Sequence, residues 1–209
     1  MRGIAFIGGE GPGAEQCRVL TRGADLIVAA DSGLIAAEAA GIHPDWIVGD
    51  MDSLTEPERL KKYPQERIRQ YPEDKDYTDT ELALRLLWDQ GCDETWLLGG
   101  GGGRIDHLFA IRSLFEREPR PLRWITAADD IHCITRSLSP ELPPGSLVSV
   151  FPLGAGPWKA KSRGLRWPLD DLSWDPGFFG ISNIAGEGPF SINVTEGRFL
   201  VILPLGADK

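Results

Sequence analysis

The sequence predicts an α/β N-terminal domain with a mostly parallel sheet over residues 1–126, followed by an all-β sandwich over residues 127–209. Three observations predict this. As far as about residue 120, short β-rich apolar runs alternate with helical patterns, the mark of parallel strands joined by covering helices. Beyond it, Pro and Gly punctuate short β-type runs and no helical periodicity of useful length occurs, which points to a β-sandwich or barrel-like domain. Finally, 209 residues at 42% hydrophobic and 25% charged composition make one large domain or two small ones, with enough apolar material for a real core.

In chain order, residues 4–7 form a strand ending in Gly8-Gly9, and 25–30 form a second buried strand. An Ala-rich helix over 32–40 is closed by Gly41, and a strand over 45–48 runs into Gly49-Asp50. The helix over 78–89 is the clearest, because Leu82, Ala83, Leu86 and Leu87 recur on one face. Thr78 and Glu81 stand at capping-box spacing, so the helix starts there. A strand over 95–98 ends in five glycines, and a helix over 105–116 carries Leu108, Ile111 and Phe115 along one side. In the second half, strands fall at 123–126, 131–135, 147–151, 191–194 and 199–203, with Glu196-Gly197 as a hairpin turn between the last two.

The net charge of −9 argues against nucleic acid or an anionic membrane as partner, since no basic stripe is present. A polyanionic small substrate stays compatible if divalent cations and a few Arg or Lys supply positive charge. Cys17, Cys92 and Cys133 are odd in number and lack metal-type spacing, which reads as reduced thiols. No leader-type or membrane-spanning apolar run is evident, and the expected location is cytoplasmic.

In an open α/β sheet, ligands bind beyond the carboxyl ends of the strands. The exits here carry Asp31-Ser32, then Asp50-Met51-Asp52-Ser53, then Gly99 to Gly103 with Arg104 and Asp106, while Asp74-Lys75-Asp76-Tyr77-Thr78-Asp79 precedes the capped helix. Asp50 and Asp52 flank one residue, so an extended backbone points both to one side. Two carboxylates so close either hold a hard divalent cation, with Mg²⁺ and phosphate oxygens suiting an all-oxygen site, or are solvated turn residues with Asp52-Ser53 capping the next helix. The acids around Asp76 and Asp79 also suit a helix N-terminus without any metal. Five successive glycines suggest a backbone that approaches an anion closely, with Arg104 beside it, or else a loose surface loop. Gly9-Glu10-Gly11-Pro12-Gly13-Ala14, with Asp31 about twenty residues on, also fits a dinucleotide-binding spacing. In the β-rich half, Trp167 is either a stacking platform for a heteroaromatic ring, its edge read by the Asn183 amide, or a core tryptophan.

Taken in order, Ala30-Asp31, Gly49-Asp50-Met51-Asp52-Ser53, Asp76-Tyr77-Thr78-Asp79, Gly103-Arg104-Ile105-Asp106-His107, Gly164-Leu165-Arg166-Trp167-Pro168-Leu169 and Ser182-Asn183 resemble the thiamine pyrophosphokinase family. The resemblance implies transfer of a pyrophosphoryl group from ATP to thiamine, giving AMP and thiamine diphosphate with Mg²⁺, in a homodimer with active sites between subunits. It implies that Asp50, Asp52 and Asp79 hold Mg²⁺ and the triphosphate. Asp31, Asp76, Thr78, Arg104 and Asp106 would line the nucleotide and phosphate site. Trp167, Ser182 and Asn183 would receive thiamine. Ser32 and Ile184 depart from the family's usual residues at their positions. Alternatives are another Mg²⁺-dependent pyrophosphokinase, an NAD-linked oxidoreductase using the Gly9 loop, and a thiamine-binding module without catalysis.

Overall fold

A computed structural model of the chain describes residues 1–52, 54 and 57–206. Ser53, the candidate cap residue, lies outside them. The chain divides into two compact units, Met1–Ala127 and Ala128–Lys209.

The first unit contains β1 (Arg2–Phe6), α1 (Ala14–Leu20), β2 (Leu26–Ala30), α2 (Gly33–Ala39), β3 (Trp46–Gly49), β4 (Ile68–Gln70), α3 (Asp79–Asp89), β5 (Glu94–Leu98), α4 (Ile105–Leu114) and β6 (Arg123–Ile125). The strands lie side by side in the order β6-β5-β1-β2-β3-β4, and every pair is parallel. Ile4, Ala5 and Phe6 of the central β1 are all buried, so successive side chains on both faces are covered and the strand reads as a continuous apolar run. α3 buries Leu82, Ala83, Leu84, Leu86 and Leu87, each leucine contributing roughly 1.5–3 kcal/mol when fully covered. A Cβ at Gly3 would lie 2.7 Å from the Leu87 side chain, so β1 needs glycine there for α3 to pack closely. The capping box forms as expected: Thr78 Oγ1 accepts from the Glu81 N–H (3.2 Å) and Thr78 N–H donates to Glu81 Oε2 (3.1 Å).

Two elements of this unit had no clear signal in the sequence. α1 buries only Cys17, so no apolar stripe announces it. β4 is three residues long, and Arg67 just before it and Arg69 within it lie over the Trp46 ring at 5.0 and 4.7 Å. Arginine stems and a cation–π contact do the covering that a hydrophobic run does elsewhere.

Among its described residues the second unit forms only strands: β7 (Asp129–Ile134), β8 (Ser137–Leu138), β9 (Leu147–Leu153), β10 (Lys159–Arg163), β11 (Gly180–Ile184), β12 (Ser191–Glu196) and β13 (Arg198–Pro204). Antiparallel pairing gives one sheet β11-β9-β13-β7 and another β10-β12-β8. Val148, Val150, Phe199 and Val201 of the first meet Ala160 and Ile192 of the second in one core with Trp174 and Phe190, which makes the unit a sandwich. The expected hairpin at Glu196-Gly197 does not form. β12 pairs with β10 and β8, whereas β13 pairs with β7 and β9, so Gly197 (φ 77°) carries the chain from one sheet to the other. A side chain there would sit 2.6 Å from the Pro157 carbonyl and against Trp158.

Candidate active site

Parallel strands place all their carboxyl ends on one rim, and the order β5-β1-β2 makes β1 the point where the chain changes direction across the sheet. A cavity of about 900 Å³ opens on this rim. Asp31 follows β2, Asp50 follows β3, and Asp79 begins α3. One carboxylate oxygen from each lies within 4.8 Å of the others. The backbone is bent to allow this: Asp31 and Met51 adopt φ of 50° and 68°, a conformation costly for residues with a Cβ and concentrated at functional sites. Gly49 has φ 140°, and a Cβ there would stand 3.2 Å from Asp79 Oδ1 and 3.3 Å from the Asp31 Cβ. Glycine at 49 is what lets the carboxylates converge.

Lys75 enters this cluster, paired with Asp50 Oδ2 and lying 3.2 Å from Asp79 Oδ1. Its hydrogen bond holds the Asp50 carboxyl below the ordinary range. Burial pushes Asp79 up, with the Asp50 charge adding to it and Lys75 only partly offsetting it. Burial also works against the charge on Lys75, but the two carboxylates outweigh it and its pKa is raised. Lysine was not singled out from the sequence; its place four residues before Asp79 was the available signal. Glu10, His107 and Arg117, likewise unassigned, also line the cavity.

The donor set suits a hard cation. It contains only carboxylate oxygens, converging and half-buried, and Asp79 Oδ1 is buried without accepting a hydrogen bond. The grouping differs from the expected Asp50, Asp52 and Asp79. Asp52 lines the cavity but is exposed, and its N–H donates to Asp50 Oδ1 at 3.2 Å; Asp31 takes the third place in the cluster. Thr78 lines the cavity beside Asp79, while Asp76 is exposed and outside the lining. Arg104 lines it too and is bound through two nitrogens to Asp106, at 3.1 and 2.5 Å.

Most of the glycine run serves a different purpose from an anion cradle. Gly99 N–H donates to Ile125, Gly100 N–H to Gly8 and Gly101 N–H to Glu10, while Glu10 N–H donates back to Gly101. A Cβ at Gly99 would lie 2.3 Å from the Ile7 carbonyl oxygen, and one at Gly102 would strike the Glu10 side chain at 2.6 Å. These glycines let two loops pack backbone to backbone. Gly103, with open space around it and φ 64°, is the one whose freedom faces no neighbour. The same packing explains Gly9 and Gly11, whose Cβ atoms would meet Gly101 and Gly99, so the dinucleotide spacing arises from loop closure.

In the second unit, Trp167 is 53% exposed with Arg166 over its ring at 4.9 Å. Asn183 is buried, and its amide is occupied within the protein. Nδ2 donates to the Trp167 carbonyl (2.6 Å) and Oδ1 accepts from the N–H groups of Trp167 (3.2 Å) and Ile184 (2.9 Å). Asn183 therefore positions Trp167. The neighbouring Ser182 is exposed with φ 58°.

Fold and site together define a two-unit protein: a parallel α/β sheet with a cluster of three carboxylates on its rim, followed by a β-sandwich with an exposed tryptophan. Residues 17–121 match the thiamin pyrophosphokinase catalytic domain, and residues 132–199 match the thiamin pyrophosphokinase vitamin B1 binding domain. The chain belongs to the thiamin pyrophosphokinase family. It is similar to thiamine pyrophosphokinase of Bacillus subtilis (strain 168), 36% identical over 83 residues that are 39% of each chain. Against thiamine pyrophosphokinase 1 of Oryza sativa subsp. japonica it is 30% identical over 160 residues, 69% of this chain and 60% of the relative. The aligned stretches thus span less than two thirds of either curated relative. A crystal structure of a thiamin pyrophosphokinase family protein from Enterococcus faecalis superimposes with a TM-score of 0.77 at 26% identity, over 98% of this chain and 99% of that one. Among the described residues, no helix is long and apolar enough to cross a membrane, and the three cysteines are buried free thiols.

Proposed function

We propose that this chain transfers the terminal pyrophosphoryl group of ATP to the hydroxyl of thiamine, releasing AMP and thiamine diphosphate, with Mg²⁺ at the rim of the parallel sheet. The observation that carries the reading is the convergence of Asp31, Asp50 and Asp79 beside a 900 Å³ cavity in a chain of this family. These carboxylates would hold Mg²⁺, with Asp52 at the margin; the cation would supply charge neutralisation for the triphosphate. The thiamine oxygen forms a bond to the β-phosphorus as the bond between that phosphorus and the oxygen bridging to the α-phosphate breaks, and AMP leaves with that oxygen. The hydroxyl proton passes to a carboxylate of the cluster. The exposed Asp76, the other candidate acceptor, stands outside the lining. Arg104 supplies a guanidinium toward phosphate oxygens, and Thr78 fixes the start of α3 and with it Asp79. Trp167 receives the thiamine ring on a face held by Asn183, with Ser182 beside it.

The test is incubation with ATP, Mg²⁺ and thiamine, following AMP and thiamine diphosphate by chromatography with an EDTA control. Equimolar products that vanish with EDTA support the proposal. ADP in place of AMP would show monophosphoryl transfer, and absence of any thiamine product would reopen the acceptor. A homodimer forms part of the proposal and is checked by sedimentation equilibrium.

A further inference from the structure

The side chain of Lys75 is 11% exposed, as is that of Asp50, and its ammonium bridges Asp50 Oδ2 and Asp79 Oδ1. It comes from the non-helical segment immediately before α3, so the ammonium can withdraw without unwinding a helix. Three carboxylates whose oxygens lie within 4.8 Å repel one another strongly in a half-buried site. Lys75 supplies one positive charge against them. A divalent cation seeking the same Asp50 and Asp79 oxygens would meet an ammonium already hydrogen-bonded to Asp50 and ion-paired with Asp79, and two cations cannot share those oxygens without severe repulsion.

We propose that Lys75 is a tethered counter-ion that holds the Asp50–Asp79 pair until the divalent cation enters, and is displaced by it. The proposal rests on reading Asp31, Asp50 and Asp79 as the cation site. Lys75 thereby keeps the carboxylates converged in the metal-free protein and weakens metal binding by the free energy of its own pairing. It is a positioning residue: its effect on the reaction is exerted through the carboxylates.

Three measurements on the full chain test it, with Mn²⁺ alone as the probe. In Lys75→Gln, Mn²⁺ affinity by electron paramagnetic resonance titration rises about tenfold, the scale of one partly buried ion pair no longer competing. The metal-free melting temperature of that variant falls, and Mn²⁺ restores more of it than in the unaltered chain. Lys75→Arg, which keeps the charge, binds Mn²⁺ with near-original affinity. In the unaltered chain, acetylation of Lys75 followed by mass spectrometry increases when Mn²⁺ saturates the site. Unchanged or weaker Mn²⁺ binding in Lys75→Gln overturns the proposal, as does Lys75 acetylation that Mn²⁺ leaves constant or reduces. If Lys75→Gln does not fold, the acetylation measurement decides alone. Absence of Mn²⁺ binding in every form overturns the proposal together with the cation site. EDTA-sensitive formation of AMP with no release of Lys75 overturns the counter-ion role and leaves the proposed reaction standing.

Discussion

Asp50 and Asp79 share one lysine yet titrate in opposite directions, because the Lys75 hydrogen bond dominates for Asp50 and burial dominates for Asp79. With Lys75 in place, Asp50 is held ionised while Asp79 takes up a proton more readily. Asp50→Asn keeps the shape and removes the charge. We expect turnover to drop roughly 100-fold or more, since even groups that only orient a metal's ligands are worth up to about that factor. Circular dichroism should show the fold intact. Undiminished AMP release would remove Asp50 from the site. Asn183 makes a separate prediction. Its buried amide holds both backbone groups of Trp167, so Asn183→Ala should cost about 1–3 kcal/mol in urea unfolding through the partners left unpaired. It should also raise the KM for thiamine more than it lowers kcat, because the aromatic platform loses its orientation.

At the scale of elements, the glycine run separates two kinds of constraint that look alike in sequence. Gly99 has φ 117° and the Ile7 carbonyl 2.3 Å from where a Cβ would stand, whereas Gly103 has φ 64° in open space. Gly99→Ala should therefore destabilise by about 2–5 kcal/mol, combining backbone strain with a clash that only backbone movement relieves. Gly103→Ala should cost about 1–2 kcal/mol, the left-handed conformation alone. Thermal or urea unfolding of the two variants checks the difference. A second prediction concerns how α2 is held. Glu38 of α2 takes Arg59, Lys62 and the Tyr63 hydroxyl. Burial opposes its charge, but the two cations outweigh this and its pKa falls below the usual 4.5. The stability this gives is present above about pH 4.5 and is lost as pH falls through the depressed value. Glu38→Gln should flatten that acid limb. Tyr63 works at the other end: burial, then the Glu38 charge, push it up to about 12. Its contribution is whole below the ordinary value of 10.0 and is lost as pH rises through about 12. Tyr63→Phe should remove that late step in absorbance at 295 nm.

At the scale of the whole molecule, what was legible in the sequence depended on whether the signal was local. The capping box of Thr78 and Glu81 lies within four residues and could be read directly. The exits of β2 and β3 were legible because a buried parallel strand is an uninterrupted apolar run, so its end is marked by Asp31 or Asp50. Which carboxylates meet was not legible, since Asp31 reaches Asp50 and Asp79 only through the adjacency of β2 and β3 and the positive φ of two residues. Lys75 was hidden among acids that suit any helix start, and β10, with only Ala160 well buried, lacked an apolar run.

The family matches fall separately on the two units, residues 17–121 and 132–199, so the two proposed substrates are testable as separable contributions to stability. A ligand that binds only the folded chain, at about 100 times its Kd, stabilises by about 2.7 kcal/mol. For a chain of this size that is about 5–10 °C in melting temperature. We expect a non-hydrolysable ATP analogue with Mg²⁺ to give such an increment, and thiamine to give its own. In Asp50→Asn the Mg²⁺-dependent increment should disappear while that from thiamine persists. In Trp167→Ala, whose side chain is already 53% exposed and so contributes little to the core, the pattern should reverse. Calorimetry of the three proteins with each ligand is sufficient. Loss of both increments from either single variant would mean that the nucleotide and vitamin sites are one coupled site, and the assignment of Trp167 to thiamine alone would have to be abandoned.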